Sequence, residues 1–181
     1  HRGLYAQSQT ILPGGNTARA GNHFWIPMGD NLTGGIIHSA NANNLGWRTT
    51  AQWNDHTLET SLTNEILWYH RYNIIASSNA IINRATDESL PLDARLKEII
   101  GQAYTYRAYA YLSLVQHYAK GYLIGSPSTD PGVPILFASE SPFTSAPRST
   151  VQEVYDQCMS DVDAAIASFE GATDRPSGSA D

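Results

Sequence analysis

The sequence predicts an all-α fold built from antiparallel helix pairs with long irregular loops. Apolar residues recur at helical spacing, about 3.6 residues, in three stretches: residues 61–86, 93–119 and 150–169. Pro91 and Asp93 mark the start of the second stretch, and Thr150 with Glu153 fits a capping box at the start of the third. Consecutive helices joined by short or medium connections favour antiparallel neighbours, as in helical-repeat proteins.

The first sixty residues are predicted to be largely irregular. Residues 1–12 fit the end of a helix that Pro13-Gly14-Gly15 stops. Residues 13–60 are rich in Gly, Asn and Thr, and they hold three of the four tryptophans of the chain: Trp25, Trp47 and Trp53. Because three indoles in such a segment are hard to bury alike, we interpret residues 13–60 as a ligand-binding loop region.

The second predicted helix carries an arginine within an aromatic stripe. At about 100° per residue, one face collects Tyr104, Arg107, Tyr111, Leu114, Val115 and Tyr118. A charge on a packing face is costly unless it is paired, so this helix is predicted to be buried and to receive a carboxylate from another element. Tyr106 and Tyr109 lie on the other face, where they contact either a second helical layer or a partner.

The third predicted helix supplies the acid that is best placed to pair with Arg107. Its apolar stripe consists of Val151, Val154, Tyr155, Cys158, Val162, Ala165, Ile166 and Phe169. Asp156 and Asp163 lie roughly opposite this stripe, whereas Asp161 lies at its edge. We therefore predict an ion pair between Arg107 and Asp161 that has a structural role.

Two further segments lack helical periodicity. Residues 120–148 are rich in Gly, Pro and Ser and contain the apolar run Val133-Pro134-Ile135-Leu136-Phe137. A loop of this length is unusual in a compact domain, so it is predicted to be packed or functional. Residues 171–181 are typical of a linker.

Composition excludes several classes of function. The net charge is −6 without a basic run, which argues against binding to nucleic acid or, by charge, to an anionic membrane. The low charged fraction, 15%, is more typical of a secreted or surface protein. Cys158 is the single cysteine, so an internal disulfide and a cysteine-based metal site are excluded, and we interpret it as a small buried hydrophobic residue.

No pattern of residues indicates catalysis, a cofactor or a metal. The six histidines are scattered, and the chain has no His-Glu-x-x-His pattern, glycine-rich phosphate loop or Gly-x-Ser-x-Gly turn. Asp and Glu are plentiful, yet no pair stands out as an acid and a nucleophile. The sequence therefore predicts a protein that is not an enzyme and that needs no cofactor.

The loop region carries the pattern that favours binding of a sugar. Flat aromatic side chains adjoin hydrogen-bonding groups there, and the candidate ligand-binding residues are Trp25, Trp47, Arg48, Trp53, Asn54 and Asp55. The C–H faces of a sugar stack on indoles, while its hydroxyl groups bond to amides, carboxylates and guanidinium groups. The alternative is that these tryptophans are core residues beneath a long loop. The chain would then be a helical-repeat module that binds a protein surface.

Three sequence blocks, in this order, resemble the SusD/RagB family of bacterial outer-membrane lipoproteins that capture nutrients. The blocks lie at residues 68–82, at 102–118 with Arg107-Ala108 at its centre, and at Gly132-Val133-Pro134-Ile135 followed by 148–155 and 161–165. The chain departs from the family pattern in the displaced Gly121 and in a longer connection from Lys120 to Pro131. Family members are also much longer, and they carry a lipidated N-terminal cysteine.

The resemblance implies a fold, a location and partners. Tetratricopeptide-like helix pairs are expected, in a protein that is lipid-anchored and exposed at the surface of the outer membrane. The ligand would be an oligosaccharide or another nutrient, which a SusC-like TonB-dependent transporter receives; a peptide ligand, as in RagB-like members, stays open. We expect residues 1–181 to be the N-terminal part of a SusD-like domain. In this interpretation 13–60 are ligand loops, 61–170 a helical core and 171–181 a linker, while the lipid anchor and the C-terminal half are absent from this chain.

Overall fold

A computed structural model of the protein describes residues 29–39, 50–54, 56–85, 91–138 and 145–172. Three long helices run through these residues: α1 (Leu62–Ala85), α2 (Ala94–Tyr118) and α3 (Val151–Phe169). The described part of the chain contains no strand, so the predicted all-α fold is confirmed. The predicted helix end at 1–12 lies outside the described residues, as do most of the loop region and residues 173–181 of the predicted linker.

The described residues fall into two units. One lies within Ala6–His70 and includes the N-terminal part of α1. The other lies within Arg71–Asp181 and contains the rest of α1 together with α2 and α3. The predicted subdivision of the chain into 13–60, 61–170 and 171–181 stays a prediction.

Polar side chains fix the first residues of α2 and α3. Asp93 accepts a hydrogen bond of 2.7 Å from the backbone N–H of Leu96 at the start of α2. At the start of α3, the Glu153 N–H donates to Thr150 Oγ1 over 3.2 Å, and the Thr150 N–H donates to Glu153 Oε2 over 2.7 Å. The predicted capping box is therefore confirmed, and it satisfies two of the N–H groups that a helix start leaves unpaired.

The core of the larger unit draws on all three helices, and α1 contributes Tyr72, Ile74, Ile75 and Ile82. The buried apolar residues on α2 and α3 are Ala103, Ala108, Ala110, Tyr111, Leu114, Val115, Val151, Val154, Cys158 and Ala165. Gly101 permits close approach near the end of α3, because a Cβ atom there would lie 2.7 Å from the Phe169 ring. Burial raises the pKa of the Cys158 thiol to about 12, so this cysteine packs as a neutral, small side chain, as predicted.

The face that α3 buries is narrower than its apolar stripe predicts. Val162, Ile166 and Phe169 belong to the predicted stripe, yet all three are exposed. Asp161, which was placed at the edge of the stripe, is instead among the buried residues of α3. The physical reason is the ion pair with Arg107, which requires the Asp161 side of α3 to face α2. The small side chains of Cys158 and Ala165 lie on the same side and leave room for that approach.

Residues 131–138 form an irregular segment that the helices hold by side-chain hydrogen bonds. Tyr72 donates to the Pro134 carbonyl over 2.8 Å, and the Tyr111 hydroxyl donates to the Leu136 carbonyl over 3.0 Å. The Leu136 N–H donates in turn to the Tyr111 hydroxyl over 2.8 Å. A segment without strand pairing still has to satisfy its backbone polar groups, and here the helix side chains do so. The predicted long loop is therefore packed in this part.

Candidate functional site

Arg107 and Asp161 form a buried, two-pronged ion pair between α2 and α3. Arg107 Nε donates to Asp161 Oδ2 over 2.8 Å, and Arg107 Nη2 donates to Asp161 Oδ1 over 2.6 Å. The two side chains are only 6% and 1% exposed. The pairing that the helical angles predict is thus present in the structure. Its two parallel bonds fix the rotation of α3 against α2 as well as neutralising the charge.

Hydrogen bonds and charge keep the buried Arg107 protonated. Burial alone lowers the pKa of a guanidinium group, but the hydrogen bond and negative charge of Asp161 outweigh burial, and the pKa of Arg107 is raised. Gln157 Nε2 also donates to Asp161 Oδ1 over 2.8 Å. The third contact of the guanidinium is Asn79, whose Oδ1 accepts from Nη1 over 2.7 Å. Removing one partner would therefore leave the others buried without their bonds.

A second buried arginine, Arg71, was missed by the sequence interpretation. It lies on α1 with its Nε donating to Ser113 Oγ over 3.1 Å and Nη2 donating to the Tyr109 hydroxyl over 3.4 Å. Its guanidinium carbon also lies 4.7 Å from the centroid of the Tyr109 ring. Burial lowers the pKa of Arg71. The signal in the sequence was an arginine on an apolar helix face, with Leu67, Trp68, Ile74 and Ile75 at helical spacing from it. The face of α2 that carries Tyr109 therefore contacts α1.

The smaller unit contains a polar pocket with a volume of about 370 Å³. Its lining includes Asn31, Ile36, His38, Ser39, Ala51 and Gln52. His38 Nε2 donates a hydrogen bond to Asn31 Oδ1. This bond links the segment that carries His38 to the helical turn at residues 29–33. Gly34, whose φ is +78°, lies at a turn in the lining. The polar side chains of the lining are the imidazole of His38, the amides of Asn31 and Gln52, and the hydroxyl group of Ser39. Such groups both donate and accept hydrogen bonds.

Trp53 follows directly on the pocket residues Ala51 and Gln52. Its indole N–H donates to the Leu32 carbonyl over 3.1 Å, and its ring meets the His56 ring edge-on at a centroid distance of 5.2 Å. The side chain is nevertheless 53% exposed, so much of the indole surface is open to solvent.

The backbone of Trp53 adopts a left-handed conformation with a φ of 58°. This region is rare for a bulky residue, and such strain is often found where function requires a particular side-chain direction. Asn54 Nδ2 donates to Gln52 Oε1 over 3.3 Å, so the next predicted residue adjoins the pocket as well.

The structure brings together only part of the predicted ligand-binding set. Trp53 and Asn54 follow the pocket residue Gln52 in the chain, whereas Trp25, Trp47, Arg48 and Asp55 lie outside the described residues. Their role in ligand binding stays a prediction. The pocket residues Asn31, His38 and Gln52 were not singled out from the sequence, because isolated polar residues in a Gly- and Asn-rich stretch carry no periodic signal.

The chemistry of this pocket suits a neutral, hydroxyl-bearing ligand. Amide, imidazole and hydroxyl groups line it, and the residue that follows Gln52 in the chain, Trp53, has a largely exposed side chain. Within the described ranges, no three His, Cys, Asp or Glu side chains gather in a way that would hold a metal ion. None of the helices that the structure describes has the combination of length and hydropathy needed to cross a membrane.

The described residues form an all-α fold with a small pocket, and comparison with known families shows the family to which the chain belongs. Residues 26–173 match the SusD-like family, described as starch-binding and associating with the outer membrane. The chain belongs to this family, as its three sequence blocks predict. The family comprises binding proteins rather than enzymes. No curated protein and no solved structure matches the chain.

Proposed function

We propose that this chain captures oligosaccharides at the bacterial cell surface and delivers them to a TonB-dependent transporter of the SusC type. Membership of a starch-binding, outer-membrane-associated family supports the ligand class and the location. The observation that carries the proposal is the exposed indole of Trp53, the residue that directly follows Gln52 of the pocket lining. The protein acts without catalysis, by holding the ligand near its transporter.

The contacts available to a sugar ring at this site are of two kinds. The open surface of the Trp53 indole receives the C–H face of a pyranose ring by stacking. Ser39 and Gln52 offer a hydroxyl and an amide to the ring hydroxyl groups, and His38 offers an imidazole. Stacking and a few hydrogen bonds of this kind give moderate affinity, which suits a protein that must release its ligand to a transporter.

Delivery in this proposal depends on a raised local concentration. A lipid anchor on the full-length protein would hold the site at the cell surface, close to the transporter. Tethering of this kind makes the second binding event effectively intramolecular. The transporter is therefore the proposed partner, and the anchor is the proposed link to the membrane.

A binding screen on the full-length protein tests the proposal. The screen presents soluble starch, malto-oligosaccharides, other plant and microbial glycans, and a set of peptides. We expect binding to at least one glycan and no binding to the peptides. Binding to peptides alone would assign the protein to a peptide-capturing role, and binding to neither class would favour a module that recognises a protein surface.

A further inference from the structure

In addition to the pocket of the smaller unit, a groove lies in the larger unit, between the irregular segment 131–138 and the polar face of α3. Its volume is about 480 Å³, and its lining includes Phe137, Ser149, Glu153, Asp156, Gln157 and Ser160. Nothing in the family description or in the sequence interpretation assigns a role to it. Apolar Ile135 and Phe137 lie opposite several hydrogen-bonding groups, a composition that suits a ligand with both an apolar face and polar groups.

Phe137 is held in place although its side chain is largely in water. The ring is 59% exposed. Asn83 Nδ2 donates to the Phe137 carbonyl over 3.1 Å. Asn79 Nδ2 donates to the carbonyls of Leu136 and Ala138 on either side, over 2.8 and 2.9 Å. The backbone that carries the ring is thus fixed before any ligand arrives.

The α3 side of the groove is rich in hydrogen-bond acceptors. Glu153, Asp156, Gln157 and Ser160 follow one another at i, i+3, i+4 and i+7, so they share one helix face. Glu153 Oε2 already accepts from Thr150, and Asp156 Oδ1 accepts from Gln152. The second carboxylate oxygen of each acid has no hydrogen bond from the described residues. The hydrogen bonds from Thr150 hold the pKa of Glu153 below its usual range, so this carboxylate stays an acceptor at neutral pH.

Phe137 offers its ring to the apolar face of a ligand. The guanidinium carbon of Arg107 lies 5.9 Å from the centroid of this ring, and the charge of Arg107 is already paired with Asp161. A ligand with an apolar C–H face and several hydroxyl donors fits both sides of the groove, and a pyranose ring has both features.

We propose that this groove is a second sugar-binding site, where one pyranose ring stacks on Phe137 and donates hydroxyl hydrogens to Asp156 and Glu153. This inference rests on the proposed function, because it takes the ligand to be a glycan. It adds a site on the helical part of the protein to the one beside Trp53. Loss of either contact should weaken binding without unfolding the protein, since Phe137 and Asp156 are both exposed.

Titration calorimetry with maltoheptaose on the full-length protein tests this second site. Phe137→Ala and Asp156→Asn should each lower the affinity about 3- to 30-fold, the range expected for one aromatic stack or one charge-assisted hydrogen bond. Met159→Ala is the matched control, because Met159 is an exposed residue of α3 outside the groove lining, and it should bind as the parent does. Phe137→Leu, which keeps apolar bulk but removes the ring, replaces Phe137→Ala if the latter does not fold.

The outcomes separate this inference from the proposed function. If the Phe137 and Asp156 variants bind maltoheptaose as tightly as the parent while Trp53→Ala binds more weakly, the groove is not a sugar site and the proposed function stands. If the Phe137 and Asp156 variants lose affinity and Trp53→Ala does not, the groove is the sugar site and the pocket beside Trp53 is not. A parent protein that binds neither maltoheptaose nor any glycan of the screen overturns both.

Discussion

Asn79 Oδ1 accepts a hydrogen bond of 2.7 Å from Arg107 Nη1, and this contact joins α1 to the ion pair between α2 and α3. The amide nitrogen of Asn79 donates at the same time to the carbonyls of Leu136 and Ala138. One buried side chain therefore links α1, the ion pair and the irregular segment that carries Phe137. We infer that this network fixes the relative placement of these elements, which is the best-attested use of buried polar groups.

Arg107→Ala should strongly destabilise the protein. The substitution leaves the Asp161 carboxylate buried without its partner, and breaking a buried ion pair in this way costs about 3–5 kcal/mol. Urea unfolding followed by circular dichroism measures the loss. The matched control is Lys120→Ala, which breaks the exposed ion pair with Asp130 and should lower the free energy of unfolding far less than Arg107→Ala does. Equal stability of the Arg107 variant and the parent would show that the network does not hold the helices together.

Asn79→Ala should also destabilise the larger unit, by about 2–4 kcal/mol. It removes three hydrogen bonds and leaves one donor of Arg107 and two carbonyl groups to find other partners. Asn83→Ala is the control, because Asn83 is exposed and its amide donates to the Phe137 carbonyl near the surface. Thermal unfolding of the two variants should give a clearly larger drop in Tm for Asn79→Ala. Similar drops would contradict a central role for Asn79.

The capping box of α3 should make stability depend on pH. The hydrogen bonds from Thr150 lower the pKa of Glu153 in the folded state. A carboxylate with a lowered pKa contributes fully above the pKa of the unfolded state, and its contribution disappears as the pH falls through the folded-state pKa. The Tm difference between the parent and Glu153→Gln should therefore be present at neutral pH and vanish in strong acid. A difference that is constant with pH would argue against this ionised contact.

Thr150→Ala provides a second measurement on the same cap. Its hydroxyl accepts from the Glu153 N–H, and loss of such an N-cap costs about 1 kcal/mol. Unlike Glu153→Gln, this substitution should lower the free energy of unfolding at acidic pH as well, since a hydroxyl does not titrate. An unchanged free energy of unfolding in Thr150→Ala would mean that water replaces the hydrogen bond that the Thr150 hydroxyl accepts.

The parts of the structure that the sequence predicted share a physical cause, which is periodicity. Apolar spacing and cap residues indicated α1, α2 and α3, and angles around the helices indicated Asp161 as the partner of Arg107. Two features had no such signal. The path of residues 131–138 depends on side chains from two helices, and the buried face of α3 depends on the ion pair rather than on its most apolar side.

The candidate sites were less predictable than the helices, for a related reason. Trp53 and Asn54 were found from their residue types, because indoles beside amides suit sugars. The remaining lining of the pocket comes from separate short segments that only the tertiary structure brings together, as Asn31 and Gln52 show. Phe137 was interpreted as part of an apolar run, and its exposure could not be inferred from its neighbours in the chain.

The affinity of Trp53→Ala for the glycan that the full-length protein binds tests the central claim most directly. If the indole stacks on a sugar ring, its loss removes roughly 1–3 kcal/mol and weakens binding about 5- to 150-fold by titration calorimetry. The Tm should change little, because the exposed indole makes few contacts, and Trp53→Phe should retain part of the affinity. A Trp53→Ala protein that stays folded and binds the glycan as tightly as the parent would contradict the account.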